Sequence, residues 1–152
     1  MCTSFMGELM TATHNFGTAP TRGTSAADTF RGALYLTSAT IDAATTAYTV
    51  SGEVSGAGYS AGGIVVTNAT PPTATNASAT AGVAFFTPSA SLTYTSVTLT
   101  TAFDAVLIYN ASQSNKAVSV HTFGSQTITA GTFTLTMPAN TTSTALLRLA
   151  TT

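Results

Sequence analysis

Charge is what this sequence has least of. Of 152 residues only 6% are Asp, Glu, Lys or Arg, against about 25% in ordinary soluble domains. The basic residues are Arg22, Arg31, Lys116 and Arg148, scattered along the chain. Direct nucleic-acid binding needs clustered cations to displace counterions from phosphates, so it is not expected. The acidic residues are Glu8, Asp28, Asp42, Glu53 and Asp104, and no spacing motif places any two together for acid–base work. A single cysteine, Cys2, excludes an internal disulfide and reads as an idle thiol near a terminus. His14 and His121 stand far apart without a thiolate cluster, which leaves zinc unsupported. No apolar run approaches the roughly 20 residues of a membrane helix. No basic start and apolar core mark a secretion signal. The expectations are therefore no enzyme, no cofactor, no metal, no membrane, and production in cytoplasm-like conditions.

Hydrophobic residues make up 44% of the chain, which excludes a disordered tail and suffices for one core at this length. Thr, Ser, Ala and Gly occupy the positions where charge is usual. A surface of that kind associates readily, because little charge has to be desolvated.

Phe5, Met6, Leu9 and Met10 fall on one face of a short helix with Ser4 as N-cap. The Gly-, Pro-, Ser- and Thr-rich stretch from Thr13 to Ala27, with Phe16 as its one large apolar group, reads as an extended arm. Beyond it β signals dominate. Nine short segments are expected: ALYLT around Leu34, Ala47–Val50, Ile64–Thr67, Val83–Phe86, Leu92–Thr100, Ala105–Tyr109, Ala117–His121, Phe133–Met137 and Ala145–Leu149. Residues 68–82 read as a linker. Leu92 and Tyr94 are out of phase with Val97 and Leu99, implying a bulge or a change of sheet near Thr95–Ser96. Ala105–Tyr109 is apolar without alternation, as in a central strand covered on both faces. Phe133, Leu135 and Met137 alternate with threonines, as in a half-buried strand. The expected fold is all-β: an antiparallel β-sandwich or jelly-roll-like domain over residues 28–152, preceded by a helix and extended arm over residues 1–27.

Candidate chemistry is sparse. Asp104, just before AVLIY, is expected to cap a turn. Glu53 lies in GEVSGAGYSAGG, where it is expected to hydrogen-bond loop amides, with Tyr59 anchoring the loop against the core or a partner. Gly56-Ala57-Gly58 is a poor dinucleotide fingerprint, because a strand-like IVVT rather than a helix follows. Nor does a Gly-Lys-Ser/Thr follow, so a phosphate loop fails too. The glycines more simply serve positive-φ turns and close backbone approach. His121 is expected to be a structural histidine. Four Asn-x-Ser/Thr sequons are discounted as chance matches in so Ser- and Thr-rich a chain.

The segments DTFRGALYLTSATI, TAYTVSGEVSGAGYSAGGIVVTN, SVTLTTAFDAVLIYN and KAVSVHTFGSQTITAGTFTLTMP carry a resemblance over about residues 28–138. Their order resembles a group of small tailed-bacteriophage virion structural proteins with a GEVxGxGYxxGG stretch, most specifically at Gly52–Gly63. The resemblance implies a particle component, localised in the virion after assembly in the host cytoplasm, and it transfers no catalytic residues. The expected role is capsid decoration (cement). The expected partners are the major capsid protein or other virion proteins, and further copies in a homo-oligomer. Phe5, Met6, Leu9, Met10, Phe16 and Tyr59 are the candidate partner-binding residues. A tail or neck adaptor, tube or fibre-attachment protein is the alternative. A carbohydrate-binding adhesion module is a further one, weakened by the absence of Trp.

Overall fold

A 19-residue strand is the spine of the fold. In the computed structural model, which describes residues 1–2, 5, 9, 13–16, 27–68, 72–75 and 82–150, seven strands are found. They are β1 (Phe30–Leu36), β2 (Ile64–Val65), β3 (Thr73–Thr75), β4 (Val83–Phe86), β5 (Leu92–Asn110), β6 (Lys116–Leu135) and β7 (Leu147–Ala150). They form a four-stranded sheet in the order β2-β1-β5-β6 and a three-stranded sheet in the order β3-β4-β7. Every pairing is antiparallel. The chain is an all-β, sandwich-like domain with one shared core.

The two expected strands Leu92–Thr100 and Ala105–Tyr109 are one strand, and so are Ala117–His121 and the segment around Phe133. Bulges account for the apparent breaks. A residue inserted into a ladder reverses the inside–outside phase without ending the strand. The register against β6 shifts between Tyr94 and Val97, where Ser96 takes a left-handed φ of 54°, and Leu92, Tyr94, Val97 and Leu99 all stay buried. Of the two readings of Thr95–Ser96, the structure therefore has the bulge. A further shift between Leu99 and Phe103 lets the exposed pair Thr100–Thr101 pass without a turn. Asp104 consequently lies half-buried in mid-strand, and its expected role as a turn cap is corrected. Ala105–Asn110 is buried on both faces, as its unbroken apolarity implies.

Two other expectations change. Ala47–Val50 is not a strand: only Ala47 makes a bridge, to Lys116, and Tyr48 N–H donates to Asn115 O at 2.9 Å. The expected linker over 68–82 contains β3, which pairs with β4.

The described amino-terminal residues Cys2, Phe5 and Phe16 belong to the core. Cys2 is fully buried and its N–H donates to Val118 O at 3.0 Å on β6. Phe16 stacks on Phe30 of β1 (centroids 4.4 Å, 9°) and lies 5.1 Å from Phe86 of β4, so it bridges the two sheets. Phe5 joins edge-on at 5.9 Å from Phe16 and 4.8 Å from His14. A polar clamp fixes this layer to the end of β5. Buried Asn110 donates through Nδ2 to Asp28 Oδ2 at 2.8 Å and sits 3.1 Å from His14 Nδ1, while Asn15 N–H donates to the same Asp28 oxygen at 2.8 Å. Phe5 and Leu9 have helical backbone. The rest of the expected helix, including Met6 and Met10, lies outside the described residues, as does most of the expected arm.

Candidate functional site

The densest polar chemistry surrounds Glu53, in the glycine-rich stretch that bridges to β1 at Tyr35 and to β5 at Thr98. Glu53 is only 8% exposed, and burial of a carboxylate requires compensating donors. Three are present. Tyr48 Oη donates to Oε2 at 2.6 Å, Tyr59 Oη donates to Oε1 at 2.7 Å, and Gly62 N–H donates to Oε1 at 2.8 Å. Tyr59 Oη also accepts the N–H of Leu34 at 3.0 Å, tying the hub to the centre of β1. The carbonyl of Gly62 accepts from Arg31 Nε at 3.1 Å and from Tyr109 Oη at 2.9 Å, and Arg31 donates again to Gly63 O. Tyr48 and Tyr109 stack at 4.7 Å and 17°. Glu53 therefore bonds a loop amide as its sequence position suggests, and it gathers two tyrosines that no spacing rule would have assigned to it.

Glycine is required where the stretch touches the sheet. Gly63 has φ +67°, and an added Cβ would overlap the carbonyl oxygen of Gly32. Gly58 has φ +77°, and a Cβ added there would also clash, with the carbonyl oxygen of Ser96 in the β5 bulge. No side chain fits either position.

All five tyrosines hold their protons more tightly than a free phenol. Burial is the main cause in each, and the carboxylate of Glu53 adds to it. Tyr35, whose hydroxyl donates to Thr49 O, is pushed up to about 12. His121 is pushed the other way, down to about 4, first by burial and then by the amino-terminal charge. Its Nε2 lies 2.9 Å from Ser119 Oγ, as befits a structural histidine.

Glu53 thus spends its oxygens holding a loop. Among the described residues no group of three or more His, Cys, Asp or Glu comes together to hold a metal, and no helix is long and apolar enough to cross a membrane.

Among the expected partner-binding residues, Phe5 and Phe16 are placed differently from the sequence reading. Phe5 (2% exposed) and Phe16 (9%) face this chain's own core, so as placed they are interior packing and not anchors offered to a partner. Leu9 packs partly buried against the same core. Tyr59 anchors its loop inward through Glu53 and Leu34. Met6 and Met10 lie outside the described residues.

A different surface stands out. β6 is the outer strand of its sheet. Beyond the contacts of Ala117 and Val118 with Thr46 and Cys2, its outward edge from Ser119 to Leu135 meets no other described strand. No Asp, Glu, Lys or Arg occurs between Lys116 and Arg148. The alternation of Phe133 and Leu135 with threonine signalled a half-buried strand; an open edge leaves no such mark on a sequence. Comparison with protein-family models, with curated proteins and with solved structures finds no match for this chain.

Proposed function

We propose that this protein is a structural component of a bacteriophage particle, a capsid decoration (cement) protein that stabilises the shell through many identical contacts. The observation that carries the reading is a nearly uncharged, Thr- and Ser-rich exterior on a stiff two-sheet framework. Docking such an exterior costs little charge desolvation, and a stiff framework loses little conformational entropy on being held. Each contact is modest; repetition over a symmetric shell multiplies it against the outward strain of packaged nucleic acid. The sequence resemblance over about residues 28–138 supports the choice of a phage particle. With Phe5 and Phe16 in the core, the contacts fall to the sheet exteriors and to β6.

The test is add-back. Particles lacking the protein are mixed with the purified chain, washed, and heated while nucleic-acid release is followed by dye fluorescence. Retention of the chain on emptied heads, with release shifted to higher temperature, is the expected result. Retention on isolated tails alone, or no retention, refutes the cement reading.

A further inference from the structure

We propose that the groove beside Arg31 binds an acidic sugar, with the Arg31 guanidinium holding the carboxylate of one uronic acid ring. The groove encloses about 290 Å³ between the glycine-rich stretch, β2 and the amino-terminal part of β5. Among the described residues, Arg31 is the only charged side chain that lines it. The guanidinium donates from Nε to Gly62 O at 3.1 Å and from Nη2 to Gly63 O, and the Tyr109 hydroxyl lies beside it. No carboxylate of the described residues forms an ion pair with it. Glu53 sits across the same Gly62 peptide, taking its N–H at 2.8 Å, and three donors already occupy the Glu53 oxygens. A guanidinium has five N–H donors. Two are spent on carbonyls, and allowing one more for Tyr109 leaves two open. A half-buried cation bonded only to neutral groups holds an incoming anion more strongly than a fully solvated one does.

The ligand class follows from one positive charge among hydroxyls. A single guanidinium matches a singly charged carboxylate through two parallel N–H···O bonds. A phosphate dianion calls for more cations than line this groove. Ser60 and Thr95 are exposed at its rim, and their hydroxyls make no hydrogen bond to the described residues. Each can therefore donate to, and accept from, a hydroxyl of the ligand. Ile64 and Val65, the latter 54% exposed, supply an apolar wall for the C–H face of a sugar ring. The volume of about 290 Å³ lies at the small end of ordinary ligand sites, which run from about 300 to 1,000 Å³, and so admits one ring. Charge is the anchor here, in keeping with a chain that has no Trp to offer as a stacking platform. The walls are already set. Tyr59 is held by Glu53 and by the N–H of Leu34, while Gly58 and Gly63 close onto the carbonyls of Ser96 and Gly32. Binding therefore has little left to order. The site does not depend on the assembly role proposed above.

The test is a titration of the full, isotope-labelled chain with sodium glucuronate at constant pH and ionic strength. It is read from the nuclear magnetic resonance shifts of the backbone amides and of the Arg31 Nε–H. Glucose, acetate and inorganic phosphate are titrated alongside. Expected are saturable shifts centred on Ser60, Gly63, Ile64 and Thr95, half-complete at about 1 mM, with each of the other three probes at least tenfold weaker. Thr95→Glu sets a negative charge at the rim of the groove, where the native side chain bonds nothing in the fold; it should abolish the shifts while the rest of the spectrum stays native. Ser60→Glu takes its place if Thr95→Glu disturbs the fold. Arg31→Lys keeps the charge but loses the planar fork, and should weaken binding about tenfold. No saturable shift up to about 50 mM, shifts reproduced by acetate, glucose or phosphate at the same concentrations, or binding that survives the glutamate variant overturns the proposal. A short polyuronate separates the two sources of such a ring. Tighter binding than glucuronate assigns the end of an acidic polysaccharide, equal or weaker binding a free sugar, and both support the site.

Discussion

Removing the carboxylate of Glu53 tests whether the glycine-rich stretch is held by a single hub. In Glu53→Ala, the hydroxyls of Tyr48 and Tyr59 and the N–H of Gly62 lose their acceptor together. Gly62 N–H is buried and the two hydroxyls are partly so. Leaving buried donors unpaired costs about 1–3 kcal/mol each. Tyr48 is near enough to solvent to recover part of its loss, so the expected total is roughly 3–5 kcal/mol. Glu53→Gln keeps the volume and one accepting oxygen, but turns an amide NH2 toward a donor; about 1–2 kcal/mol is expected. The assay is urea unfolding followed by far-ultraviolet circular dichroism, with tyrosine fluorescence as a second probe because the chain has no Trp. With a urea dependence of about 2 kcal/mol per molar, the Ala midpoint falls by about 2 M and the Gln midpoint by less than about 1 M. An Ala variant within about 1 kcal/mol of the wild type would refute the hub, as would a Gln variant less stable than the Ala variant.

Three further outcomes are expected. His121 is held neutral in the fold down to about pH 4 but protonates near 6.5 when unfolded. Its contribution is therefore present above about pH 6.5 and is lost as the pH falls toward 4. The loss is about 1–3 kcal/mol for a half-buried ring, and a stability–pH series should flatten over that window in His121→Asn. At the alkaline end the sign reverses. All five tyrosines ionise less readily folded than unfolded, so stability falls above about pH 10; tyrosinate absorbance should rise together with loss of the β-sheet signal, not ahead of it. Phe16→Ala removes the ring that joins the sheets and should cost about 3–5 kcal/mol, lowering the thermal midpoint by roughly 10 °C; an unchanged midpoint would mean that the amino-terminal layer is dispensable.

Legibility in the sequence followed how local each feature is. Ala105–Tyr109 was readable as a doubly covered strand because its apolar run has no polar phase. An irregularity at Thr95–Ser96 was readable because Tyr94 and Val97 are out of step, but only the pairing shows it to be a bulge and not a change of sheet. Asp104 was misread because an acid beside Thr-Thr-Ala-Phe has turn-like composition, and it is the pairing of Phe103 and Ala105 with both β1 and β6 that carries the strand through it. Phe5 and Phe16 were misread for different reasons: helical spacing gives Phe5 an apolar face without saying what covers it, and Phe16, isolated in a Gly- and Thr-rich stretch, has no periodicity to declare a buried face. Phe16 packs on Phe30 and Phe86, far along the chain, and Phe5 packs on Phe16. Glu53 was readable as a loop ligand, since its glycines are neighbours in sequence. Its bond to Tyr48, outside that loop, and the link through Tyr59 to Leu34 were not. The open edge of β6 is a property of strand order, which no local pattern encodes.

A reconstruction of the intact particle bears most directly on the assembly role. If the chain decorates the shell, density matching the β2-β1-β5-β6 sheet will occupy equivalent positions on the outer capsid surface at every capsomer. An otherwise complete virion whose head bears no such density, with the chain absent or confined to the tail, would contradict it.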